Sequence, residues 1–270
     1  MVSSTAPTLF EGEVSLEFLD GVALVTMVST EGTFDWGTRR EEHRWNPVMV
    51  SALGRALDVV EASSEAKALV VANEGKFWSN GMDLKYLDAN EGEVALQHTL
   101  RTNELMARIC CFPLPTVAAL FGHWCAAGGM MGLAFDFRVM SSDRGFFFVP
   151  GVDLGLVYAP MQTELMKAKL PASMHRDVIL FNRRRWTAQD LLAAGAIDAA
   201  VPSSKVLPKA LELGREMRPK GQGPARKALS GLKQSLYKQV LDALSAGGDM
   251  GYPGRKKGVE YAPAQTTSKL

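Results

Sequence analysis

The stretch Phe121-Gly122-His123-Trp124-Cys125-Ala126-Ala127-Gly128-Gly129-Met130-Met131-Gly132-Leu133-Ala134-Phe135-Asp136 decides the fold. An apolar run, Pro115 to Phe121, leads into Gly122, small residues follow from Ala126 to Gly129, and Met130 to Phe135 is apolar again. That order reads as buried strand, tight turn, helix. Small residues at the turn let a ligand approach the main chain closely. The first N–H groups of the helix lack intrahelical acceptors, so they point at whatever carries negative charge. The turn is a candidate oxyanion site.

A second glycine-bearing loop lies upstream, at Gly75-Lys76-Phe77-Trp78-Ser79-Asn80-Gly81-Met82-Asp83-Leu84. It follows the apolar, β-rich run Ala66 to Val71 and precedes a helix-like segment. Two strand-to-helix turns, each offering a free N–H, have the means to grip one carbonyl oxygen as charge builds on it, as enolate chemistry requires.

Working outward, Val14 to Phe18 and Val22 to Val28 flank Asp20-Gly21 and read as a β-hairpin. Asn46 to Ala62 carries apolar residues at helical spacing behind Pro47. A helix is expected over 93–109, strands at 116–120, 137–140 and 146–149, and later helices at 162–169, 187–194 and 206–217, with Pro202 and Pro208 as punctuation. A final amphipathic stretch runs from Ala225 to Leu244. The alternation implies an α/β fold of right-handed βαβ type with a helical C-terminal region.

With 270 residues the chain can bury one large core. Lysine plus arginine number 30 against 29 aspartate plus glutamate, which gives no nucleic-acid footprint. The short basic run Arg255-Lys256-Lys257 reads equally as a surface run or as a phosphate contact. Cys110, Cys111 and Cys125 lack metal-ligand spacing and fit a reducing compartment better than a disulfide framework. No apolar run reaches transmembrane length, no metal or nicotinamide fingerprint appears, and the N-terminal residues lack a basic-then-apolar leader pattern. Ser268-Lys269-Leu270 is a peroxisomal address read by an import receptor, and Tyr261 to Thr267 reads as its exposed lead-in. The same address serves specialised peroxisomes such as the glycosome.

Several motifs together resemble the crotonase (enoyl-CoA hydratase/isomerase) superfamily. They are Phe77-x-Ser79-Asn80-Gly81-x-Asp83-Leu84, Gly122-His123-x(3)-Ala127-Gly128 with Asp136 and Arg138 beyond, Arg44-x-Asn46-Pro47, and Trp186-Thr187-Ala188 with Gly195-Ala196-Ile197-Asp198. The likeness covers Val14 to Val201, and His43 to Pro47 with the first motif look most like plant-type peroxisomal Δ3,Δ2-enoyl-CoA isomerases. The resemblance implies a ClpP-like ββα superhelix over residues 1–201, a helical trimerisation or capping region over 202–260, and a flexible tail over 261–270. It implies an acyl-CoA substrate, no cofactor beyond that thioester, and a homotrimer or hexamer. The main-chain N–H groups of Met82 and Ala127 would bind the thioester oxygen. Arg44, Trp45, Phe77, Ser79, Asn80, Gly81, Asp83, Leu84 and Gly128 would line the substrate channel.

The acid or base departs from the family pattern. The two glutamates of the hydratases fall at Met130 and Gly151, and the single acid of some isomerases falls at Ala159, none of which carries a proton. Asp153 and Glu164 are the nearby candidates. Tyr158 is a further one, but an unperturbed phenol titrates far above neutral pH. His123 reads as structural or exposed. Cys125 lies near a helix N-terminus, where thiolates are favoured, but without a visible partner base. Met130-Met131 and Phe146-Phe147-Phe148 read as core and acyl-pocket lining. The activity expected is conversion of 3-enoyl-CoA to trans-2-enoyl-CoA through a dienolate. Hydration, another thioester reaction, or a catalytically degenerate acyl-CoA binder are the alternatives.

Overall fold

A computed structural model describes residues 7–90 and 92–247. The expected targeting tripeptide Ser268-Lys269-Leu270, the tail over 261–270, the run Arg255-Lys256-Lys257 and the end of the 202–260 region lie outside the described residues.

The strands are β1 (Thr8–Phe10), β2 (Val14–Leu19), β3 (Val22–Met27), β4 (Ala68–Asn73), β5 (Phe77–Ser79), β6 (Thr116–Leu120), β7 (His123–Cys125), β8 (Phe137–Ser141), β9 (Phe147–Phe148) and β10 (Ala199–Val201). The helices are α1 (Pro47–Ala62), α2 (Leu84–Ala89), α3 (Glu93–Cys110), α4 (Ala127–Ala134), α5 (Pro160–Lys169), α6 (Ala172–His175), α7 (Ala188–Ala194), α8 (Ser203–Met217), α9 (Gly223–Leu236) and α10 (Lys238–Ser245).

Seven strands form one sheet in the order β1-β2-β3-β4-β6-β8-β10, antiparallel at the β1-β2-β3 end and parallel from β3 onward. The hairpin turn is Asp20-Gly21, both residues at positive φ. The central parallel strands β4 and β6 are buried on both faces, which is why they read as unbroken apolar runs. Val22, Leu24, Val70, Val117, Ala119 and Val139 point to the side covered by Val206 and Ala210 of α8. Ala23, Val25, Leu69, Val71, Ala118 and Leu120 point the other way, into the larger core with α1, α3 and α4. The mixed α/β architecture is the one expected.

A second, three-stranded parallel sheet, β5-β7-β9, stands at the exits of the first. It is a correction to the reading of His123–Cys125 as plain turn. Its strands have two or three residues and are paired by chain segments far apart, so no local pattern marks them.

Other boundaries shift for physical reasons. The strand expected over 66–71 runs from Ala68 to Asn73, because its partner β3 starts at Val22, opposite Ala68. Pro208 does not interrupt α8. It lies near the helix start, where the carbonyl it cannot serve belongs to the exposed Ser204. The single amphipathic helix expected over 225–244 breaks at Tyr237 (φ −102°, ψ 24°). There the phenol accepts a hydrogen bond from Lys169 Nζ at 2.8 Å and α10 turns onto α5.

Candidate active site

Both glycine-bearing loops start at strand ends that one side chain ties together. Asn73, buried at the end of β4, donates from Nδ2 to the carbonyls of Glu74, Phe77 and Phe121, and its Oδ1 accepts from Phe121 N–H. Beside it, Gly122 (φ +73°) approaches so closely that a Cβ would stand 1.9 Å from the Lys76 carbonyl oxygen, and His123 N–H donates to that oxygen at 3.0 Å. Sequence reasoning missed Asn73. Its signal was a lone amide closing an otherwise apolar strand.

The first loop is built around Met82. Trp45 N–H donates to Gly81 C=O at 2.8 Å and Asp83 N–H donates to Trp45 C=O at 3.1 Å, a short parallel bridge that leaves the amide of Met82 facing the opposite side. Ser79 Oγ donates to His43 C=O and accepts from Gly81 N–H, while Arg44 Nη1 donates to Met82 C=O. Asp83 caps α2 by accepting from Tyr86 N–H, and it also accepts from Trp36 Nε1 and Thr38 Oγ1.

The second loop turns at Ala126, a non-glycine residue at φ 51°, ψ −129°. Such a conformation costs of order 1–3 kcal/mol and persists only where surroundings dictate it. Ala126 N–H is held by Phe148 C=O at 2.9 Å, and Ala127 then opens α4. Neither Met82 N–H nor Ala127 N–H meets an acceptor among the described residues. Both residues line one cleft of about 210 Å³.

The cleft wall divides the candidate residues. Arg44, Asn80, Met82, Leu84 and Ala127 line it. Trp45 does not, because its ring is wholly buried edge-on to Trp78, so it contributes main-chain bonds alone. Ser79 and Asp83 are buried and act through the loop bonds already given. Phe77 packs at a tilt beside His123 beneath Lys76, away from the cleft lining. Gly81 and Gly128 set close approach: a Cβ at Gly128 would lie 2.5 Å from Ser79 C=O.

Among the described residues no carboxylate lines the cleft. Asp153 sits on a one-turn 3-10 segment, Val152–Leu154, exposed and accepting from Asn182 Nδ2. Glu164 on α5 pairs with Lys167 at 2.8 Å. Met130 and Gly151 line the cleft, and Ala159 is buried at the start of α5. The titratable groups in the lining are Arg44, Cys125 and Tyr158. Burial pushes the Cys125 thiol up to about 12, overriding the helix N-terminus that would favour a thiolate. Burial likewise pushes the Tyr158 phenol up to about 12, against a lowering contribution from the Gly151 N–H bond. His123, between Phe77 and Phe146, is held below the ordinary histidine value by burial and by Lys76 and Arg185. Among the described residues no three His, Cys, Asp or Glu side chains stand close enough to hold a metal ion. No helix there is long and apolar enough to cross a membrane.

A protein-family model described as enoyl-CoA hydratase/isomerase matches residues 39–251, most of the chain and both loops. The peroxisomal enoyl-CoA delta isomerase 1 of Arabidopsis thaliana is 28% identical over 204 residues, covering 74% of this chain and 83% of that protein. A putative enoyl-CoA hydratase of Thermus thermophilus is 31% identical over 202 residues, covering 74% and 75%. The crystal structure of a probable enoyl-CoA hydratase from Mycobacterium tuberculosis H37Rv superposes with a TM-score of 0.75 at 27% identity, covering 87% of this chain and 92% of that one. With its two loops meeting at one cleft and a family match that spans them, the chain belongs to the enoyl-CoA hydratase/isomerase family of the crotonase superfamily.

Proposed function

We propose that this protein binds acyl-CoA thioesters and moves a double bond from position 3 to position 2, giving trans-2-enoyl-CoA in peroxisomal fatty-acid β-oxidation. The observation that carries this reading is the pair of unpartnered N–H groups, Met82 and Ala127, on one cleft. A thioester oxygen between them would gain charge as C2 loses its proton, and preorganised donors stabilise that charge most where it appears. The mostly apolar lining, with Met130, Leu154, Leu156, Val157 and Phe148, suits an acyl chain.

Isomerisation is favoured over hydration because adding water needs a second acid-base group to position and protonate it, and no carboxylate among the described residues lines the cleft. The thioester is substrate and no further cofactor enters the scheme. Ser268-Lys269-Leu270 would engage an import receptor, in accord with the peroxisomal naming of relatives, and the assembly would be a homotrimer or hexamer. The test is conversion of trans-3-hexenoyl-CoA to its trans-2 isomer by purified protein. Turnover supports the reading. Binding without product overturns it in favour of the second one, a non-catalytic acyl-CoA binder, which the missing carboxylate favours.

A further inference from the structure

Gly151 is the position at which a family carboxylate would enter this cleft, and its missing side chain is not empty space. A Cβ built there would stand 2.1 Å from Tyr158 Oη and 2.2 Å from Cζ. The phenol, seven residues on, reaches back across the short 3-10 turn and fills that volume. Gly151 N–H donates to Oη at 2.5 Å, and Oη donates to Val149 C=O at 3.0 Å. The hydroxyl is thus fixed by two main-chain groups on the cleft wall, and one lone pair is left over. Among the described residues only Arg44, which stays protonated, and the Cys125 thiol share the lining as titratable groups.

We propose that Tyr158 Oη is the proton carrier of this site, a phenol in the place of the carboxylate that residue 151 cannot supply. The assignment rests on the reading of the cleft as a thioester site. As phenolate, Oη takes a proton from C2 while the C–H electron pair moves into the C1–C2 bond and the carbonyl pair moves onto the thioester oxygen, held by Met82 and Ala127. The phenol then returns the proton to C4, where the C3–C4 π pair forms the new C–H bond, while the C1–C2 pair shifts to C2–C3 and the pair on the thioester oxygen re-forms the carbonyl. Nothing else is consumed. Burial favours the neutral phenol, and Gly151 N–H is the hydrogen bond that favours its charged form. The charge of Asp153, on the same turn, opposes ionisation of the phenol. Across the cleft stand Arg44 and Cys125.

A phenol pushed up to about 12 is ionised in about one molecule in 10⁵ at pH 7, so the rate of proton removal should climb about tenfold per pH unit through the alkaline range. The test uses hexanoyl-CoA, which has no double bond to move, and follows exchange of its C2 protons for deuterium by NMR. Wild type is expected to exchange with that rising profile. Tyr158→Phe should slow exchange by about 10²-fold or more while hexanoyl-CoA binding persists. Replacing the phenol by 3-fluorotyrosine at 158, which is more acidic, should move the profile to lower pH, a shift that a merely structural role would not produce.

Exchange at the wild-type rate in Tyr158→Phe, a profile unmoved by fluorination, loss of exchange on Cys125→Ala but not on Tyr158→Phe, or no exchange by wild type would each overturn the assignment. Exchange dependent on Tyr158 in a protein that leaves 3-hexenoyl-CoA unchanged would uphold the proton carrier and sink the isomerase.

Discussion

Gly81 and Ala127 pack directly together where the two loops meet: a Cβ on Gly81 would lie 3.2 Å from the Ala127 amide nitrogen and 2.9 Å from the Ala126 Cβ. Gly81 also sits at φ +85°, where side chains are rarely tolerated. Gly81→Ala should therefore push the two amide donors apart. Isomerisation should fall by about 10²–10³-fold in kcat, the usual cost of one misplaced oxyanion donor. Steady-state kinetics on 3-hexenoyl-CoA would check this, and an unchanged kcat would refute the shared role of the two amides.

Asp83 gathers three donors, Tyr86 N–H, Trp36 Nε1 and Thr38 Oγ1, while itself fully buried. Asp83→Ala removes a helix cap and strands two donors. Its expected cost is about 3 kcal/mol, combining a cap of about 1 with unsatisfied groups of about 1 each. Urea unfolding followed by circular dichroism measures it, and a loss under about 1 kcal/mol would mean these bonds are replaceable by water.

Lys233 of α9, nearly buried, donates from Nζ to the carbonyls of Phe112 and Leu114 and to Asp136 Oδ2. Lys233→Met keeps the length and drops the charge. Breaking a buried pair from one side costs about 3–5 kcal/mol because the partner charge stays behind. The double variant with Asp136→Asn should recover part of that loss, and no recovery would place the cost in packing instead.

His43 and His98 are both held below the ordinary histidine value of 6.5, chiefly by burial. The native state resists a proton that the unfolded chain accepts, so their contribution to stability is complete above pH 6.5 and is lost as pH falls below it. Each adds a slope of up to about 1.4 kcal/mol per pH unit below that point. Unfolding free energies from pH 7.5 to 5 should decline less steeply in His98→Gln than in wild type. Parallel curves would show that His98 takes up no extra proton on unfolding.

The hairpin, α1, the central parallel strands and α4 were legible because their signals are local: Asp20-Gly21 between β-branched runs, Asn46 capping α1 by accepting from Met49 N–H, and apolar runs broken by glycine. The loops were legible as turns, and their resemblance located the two amides. What escaped was whatever needs a distant partner. The pairing of Phe77 with His123 in the small sheet and the knot tied by Asn73 join segments almost fifty residues apart. Asp153 and Glu164 looked usable because sequence distance from the expected position was the only guide. Their actual partners, Asn182 and Lys167, hold them outside the cleft lining. Likewise, nothing in the spacing of Gly151 and Tyr158 announces that one fills the absence of the other.

The bond from Lys233 to Asp136 also orders events during synthesis. Asp136 follows directly on the segment that ends α4, and the carbonyls of Phe112 and Leu114 lead into β6, yet the ammonium that satisfies all three is encoded about a hundred residues later. A nascent chain that already holds both glycine-bearing loops still carries an acid without its ammonium partner and two unserved carbonyls at the far end of β6 and α4. Release of α9 from the ribosome is what supplies their partner, so a stalled or truncated product ending before it would leave these groups unpaired and would be a natural target for chaperones and proteases.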